Sequence, residues 1–97
     1  MIAEIIEAPI SSPEQYEQIR QHTGLDGDQA PPGAILHVAG PADDGRWRLI
    51  TVWETGEAAS RWGAKVRAAR VELGFEGQPR ITRFEVHNLE HTTSVAA

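Results

Sequence analysis

Apolar and polar positions along the chain follow two rhythms. Ile2–Ala8 is a β-rich apolar run with Glu4 and Glu7 set into it. Gly33–Gly40 alternates Ile35, His37 and Ala39 with Leu36 and Val38. Arg46–Trp53 alternates Trp47, Leu49, Thr51 and Trp53 with Arg48, Ile50 and Val52. Arg80–Leu89 sets Ile81, Arg83, Glu85 and His87 against Thr82, Phe84, Val86 and Asn88. A period of two is that of a strand, whose successive side chains point to opposite faces. The other rhythm, in steps of three and four, joins Tyr16, Ile19 and Thr23, and then Ala59, Trp62, Val66, Ala69 and Leu73. Each set forms one face of a helix.

Punctuation residues sharpen these boundaries. Ser12 fits the N-cap of the helix that follows it, Pro13 sits at its first position, and Gln15 completes a capping box. That helix should stop at Gly24, with His22 in its last turn. Thr55 caps a second helix running from Gly56 to about Leu73, and Gly74 is its stop. Asp44-Gly45 between two β runs signals a hairpin. Leu25–Pro32 is a loop of Asp, Gly and Pro, longer than a simple connection needs, and a candidate pocket rim.

The resulting order, β-α-β-β-α-β, is the ferredoxin-like split motif: an α+β fold with a four-stranded antiparallel sheet. Residues 1–91 form one domain, and 92–97 a loose polar tail. Two helices cover only one face of such a sheet, whereas the second and third strands are apolar on both. A second copy of the chain, packed sheet against sheet, is the expected cover. A domain of 97 residues also gains stability by burying more surface in a dimer.

Composition narrows the function classes. With 40 % apolar and 24 % charged residues the chain is globular. It has no cysteine, which excludes disulfides, thiolate metal sites and a cysteine nucleophile. A formal net charge of −5 argues against a nucleic-acid partner, which requires clustered Lys and Arg. The basic set Arg61, Lys65, Arg67 and Arg70 is interrupted by Glu57 and Glu72 and reads as a solvated helix face. Glu4 and Glu7 near the start, with no basic region, are unlike a signal peptide, and Ala30–Ala42 is too short to span a bilayer. The expectation is a cytoplasmic protein without a membrane partner.

The stretch from Val52-Trp53-Glu54-Thr55 through Glu57-Ala58 to Trp62, nine residues after Trp53, resembles the dimeric α+β barrel superfamily, and within it the antibiotic biosynthesis monooxygenase-like group. A similar Trp-Glu-Ser run with a second tryptophan occurs in its haem-degrading members, where that tryptophan lies in the active site. The element order extends the resemblance over nearly the whole chain. It implies a homodimer with a pocket in each subunit between sheet and helices. It further implies a small hydrophobic ligand and, by analogy with polyketide-tailoring members, oxidation of aromatic phenols by dioxygen with no metal, flavin or other cofactor. Cyclases, isomerases and non-catalytic small-molecule binders share the scaffold. The haem-degrading pattern places an iron-ligating His late in the second helix and an Asn in the first strand. Here Ala64–Leu73 contains no His, and the strand offers Ile6 or Glu7.

Candidate residues each carry a packing reading and a chemical one. Trp53 and Trp62 are either core or the walls of a pocket for a flat ligand. Trp47, beside the hairpin, suits a dimer or rim contact. His37 lies mid-strand between apolar neighbours: either a core histidine donating to a carbonyl, or a neutral base that removes a phenol or α-carbon proton. Arg83, Glu85 and His87 share a face, which is either a solvated edge or an inward one on which Arg83 contacts an oxyanion and His87 relays a proton. Tyr16 either packs its helix or hydrogen-bonds a ligand carbonyl. Glu4 and Glu7 lie on opposite strand faces, so one of them could pair with a histidine and raise its basicity. His87 and His91 have the spacing of a helical metal pair but fall at a strand end, and Asp26-Gly27-Asp28 is too short for a calcium loop, so no metal is expected.

Overall fold

The computed structural model describes residues 1–90; His91 and the expected tail 92–97 lie outside them. Its elements are β1 (Ile2–Ala8), α1 (Pro13–Thr23), β2 (Ala34–Pro41), β3 (Trp47–Trp53), α2 (Gly56–Glu72) and β4 (Arg80–Glu85). Both helices begin where their caps predict. The Ser12 hydroxyl accepts from the Gln15 N–H at 3.2 Å, and the Thr55 hydroxyl from the Ala58 N–H at 3.1 Å. The Gln15 side chain reaches back one residue further than a capping box requires, accepting from the N–H of Ser11 at 2.9 Å. Gly24 ends α1 at φ 91°, a left-handed conformation in which glycine has no Cβ to clash.

The strands form one antiparallel sheet in the order β2-β3-β1-β4. β4 stops at Glu85, short of the Leu89 that alternation predicts. Among the described residues it is an edge strand whose sole partner is β1, and Glu85 already faces Ile2 at the start of that strand. One more bond, from the Val86 N–H to the Met1 carbonyl at 2.9 Å, closes the pairing.

Register sorts the side chains. Ala8, Ile10, Ile19 and Trp47 form the buried cluster between sheet and helices, with Tyr16, Val66 and Leu73 packed against it. Trp47 is therefore core, not a rim or dimer contact: it is 6 % exposed and stacks on Tyr16, ring centroids 5.0 Å apart. The thin apolar stripe of α1 needs this aromatic partner to dock. Near the start of β2, Gly33 lies so close to α2 that a Cβ there would sit 2.7 Å from that of Ala58. The opposite sheet face leaves Ile5, Leu36, Val38, Ile50 and Phe84 exposed.

Candidate functional site

Between the sheet and the two helices lies a cavity of about 130 Å³. Ile6, Leu49 and Ile81 from the sheet, with Ile19 and Val66 from the helices, make much of its wall apolar. Leu25 and Pro31 bring the long loop after α1 to its edge. Its volume is comparable to that of apolar cavities that hold a benzene-sized molecule.

A polar row crosses the apolar sheet. Pairing sets His37 of β2 beside Thr51 of β3, Thr51 beside Glu4 of β1, and Glu4 beside Arg83 of β4. His37, Thr51 and Glu4 line the cavity. The His37 ring is held at both nitrogens: Nδ1 lies 2.8 Å from the Thr51 hydroxyl and Nε2 lies 3.0 Å from the Tyr16 hydroxyl. Burial, aided by the Arg20 charge, pushes the His37 pKa below its ordinary value of 6.5, so the ring is neutral at pH 7. Burial likewise raises the Tyr16 pKa above 10.0, so the phenol keeps its proton. A neutral imidazole has one N–H and one lone pair. In the tautomer that donates from Nδ1 to Thr51, Nε2 accepts from Tyr16, and the hydroxyl becomes a proton path between cavity and ring.

Glu4 is 4 % exposed, yet both its oxygens are satisfied. Oε1 accepts from Trp53 Nε1 at 2.8 Å, and Oε2 accepts from Arg83 Nε and Nη2 at 3.1 and 2.6 Å. The inward carboxylate thus partners an indole and a guanidinium; it does not pair with a histidine as anticipated. Glu7, on the other face, is bound by Arg46, whose hydrogen bond holds its pKa below the usual carboxylate range.

Several anticipated site residues therefore converge and others do not. His37, Tyr16, Trp53 and Trp62 all line the cavity, Trp62 half-buried with Lys65 Nζ 5.5 Å from its ring centroid. Arg83 shares the inward row but is engaged by Glu4 and lies outside the cavity wall. His87 is exposed on a bend beyond β4, away from the cavity. Thr51 was legible only as one of four residues on a strand face; its role follows from register. Arg70, expected on a solvated face, is buried and lines the cavity, because the end of α2 turns it under the loop leading to β4.

A four-stranded antiparallel sheet in this order, with both helices on one face, is a fold shared with solved structures provisionally named antibiotic biosynthesis monooxygenases. A protein from Nitrosomonas europaea provisionally named an antibiotic biosynthesis monooxygenase is 16 % identical, with a TM-score of 0.60, over 91 % of this chain and 100 % of that one. The haem degrader MhuD from Mycobacterium tuberculosis, with two haems bound in its active site, is 19 % identical, with a TM-score of 0.55, over 94 % of this chain and 100 % of that one. A Caulobacter crescentus protein, also provisionally named an antibiotic biosynthesis monooxygenase, is 12 % identical, with a TM-score of 0.58, over 90 % of this chain and 91 % of that one. No protein-family model matches the sequence, and comparison with curated proteins gives no match.

The residues present do not fit haem. On the cavity side α2 offers Ala59, Trp62, Gly63, Val66, Arg67 and Arg70, none of them an iron ligand. His37 has both ring nitrogens hydrogen-bonded. The cavity, at about 130 Å³, is also well below the roughly 300–1,000 Å³ of pockets that enclose larger ligands.

Proposed function

We propose that this protein is a cofactor-independent, monooxygenase-like enzyme that oxidises a small aromatic or polyketide-like molecule and works as a homodimer. The observation that carries the reading is a neutral, half-buried His37 linked to the Tyr16 hydroxyl in the wall of a largely apolar cavity. Trp53 and Trp62 supply flat surfaces for the ring. The phenolic proton of the substrate passes to the Tyr16 oxygen as the Tyr16 proton moves to His37 Nε2. The electron-rich phenolate then reacts with dioxygen. A ring C–H becomes C=O, and the second oxygen atom leaves as water, so that 1-naphthol and one O₂ give 1,4-naphthoquinone and one H₂O. Arg83 is assigned to neutralising Glu4, not to contacting an oxyanion.

The test is turnover of 1-naphthol, followed by quinone absorbance and oxygen uptake, in the wild type and in His37→Gln. Loss of a general base should lower the rate by about 10²–10⁴-fold, while 1-naphthol binding, read by tryptophan fluorescence, persists. Unchanged turnover in the variant overturns the base assignment. One observation favours a second reading, a non-catalytic binding dimer: both ring nitrogens of His37 already have partners. That reading predicts that the wild type binds 1-naphthol without consuming oxygen.

A further inference from the structure

We propose that the ligand of this cavity carries an anionic group, a carboxylate on an aromatic body, and that Arg70 is its anchor. The inference rests on the cavity being the binding pocket. Arg70 is 9 % exposed and lines the cavity. Its Nη2 donates to the carbonyls of Glu76 and Gly77, at 3.2 and 2.8 Å, which fixes the guanidinium under the loop before β4. Its Nε is buried with no acceptor, and among the described residues Arg70 has no carboxylate within ion-pairing distance. Burying a charge without a counter-charge is strongly unfavourable.

A loop latch explains Nη2 alone. It leaves Nε buried without an acceptor among the described residues, and the charge without a carboxylate partner. The rest of the wall has the same sign: Arg20 and Arg67 also line the cavity, and Glu4 is the one carboxylate in it among the described residues. Glu4 is already neutralised by Arg83. An apolar cavity with a fixed, uncompensated guanidinium suits an aromatic acid, which contributes the missing charge and accepts planar N–H donors. Such a ligand would also explain why an acidic chain keeps a buried arginine there.

The matched probes are 1-naphthoate and 1-naphthamide, equal in shape and different in charge. In the wild type the acid should bind about tenfold or more tightly than the amide, the range of a charge-assisted hydrogen bond. The Arg70 Nε–H resonance should move with naphthoate alone. Arg70→Gln should abolish the preference while leaving amide binding in place, and Arg70→Lys should restore part of it. Should Arg70→Gln fail to fold, the wild-type preference and the Nε–H shift still decide the matter. Equal affinity for acid and amide overturns the anion anchor and leaves the pocket reading standing. A preference that persists in folded Arg70→Gln also overturns it. If neither probe binds, the pocket reading falls and the anchor falls with it.

Discussion

A charge inside this small core is tolerable only when something answers it, and the individual residues show how. Glu4 is buried and held by Trp53 and Arg83, whereas the Arg83 side chain is partly in water. Removing the two partners should therefore have unequal costs. Arg83→Ala leaves a buried carboxylate with only the indole and should lower stability by about 3 kcal/mol. Glu4→Gln keeps an acceptor and frees an arginine that solvent can hydrate, so its cost should be smaller. Chemical denaturation of both variants checks the order. His37 gives a pH signature. Its folded-state pKa lies below the ordinary 6.5, so just below pH 6.5 the unfolded chain binds more protons than the folded one. Stability then rises with pH through that window and is lost as the pH falls. His37→Gln should flatten the dependence, and 1-naphthol turnover should show an acid limb with an inflection below 6.5.

At the scale of elements, the caps and the close approaches set the frame on which the row of polar residues sits. Ser12→Ala removes an N-cap bond and should cost about 1 kcal/mol in thermal or denaturant unfolding. Gly33 is more restrictive. It has φ 86°, and an added Cβ would meet Ala58 at 2.7 Å. Gly33→Ala should cost about 2 kcal/mol, from backbone strain together with the clash. Measured against an Ala58→Gly background the penalty should shrink but not vanish, because only the clash is relieved; a double-mutant cycle separates the two. β4 illustrates where local pattern ends. Its alternation runs on to Leu89, but an edge strand pairs only as far as its neighbour extends.

For the whole molecule, the uncovered sheet face is the main liability. Ile5, Leu36, Val38, Ile50 and Phe84 stand exposed on it, a contiguous apolar surface of the kind soluble proteins cover. Packing against a second copy is the arrangement we expect. Val38→Glu combined with Ile50→Glu should give a monomer in sedimentation velocity, with naphthol binding weakened only as far as the monomer is less stable. A wild type that sediments as a monomer at micromolar concentration would remove the dimer from the proposed function. Among the described residues no helix is long and apolar enough to cross a membrane.

The order of elements, both helix starts, the stop at Gly24 and the two faces of β3 follow from the sequence alone, because caps, turn residues and periodicity act over a few neighbours. His37, Tyr16, Trp53 and Trp62 were also legible as candidates, as polar or aromatic residues on otherwise apolar faces. What lies beside what belongs to the tertiary structure. Strand register put His37, Thr51, Glu4 and Arg83 in one row, bound Arg83 to Glu4 and left His87 beyond the end of its strand. The docking of α1 turned Trp47 from an expected contact surface into core, and the end of α2 folded Arg70 under a loop. These outcomes depend on how elements and loops pack together, with partners from 7 positions apart for Arg70 to 79 for Arg83, and no local pattern encodes that packing.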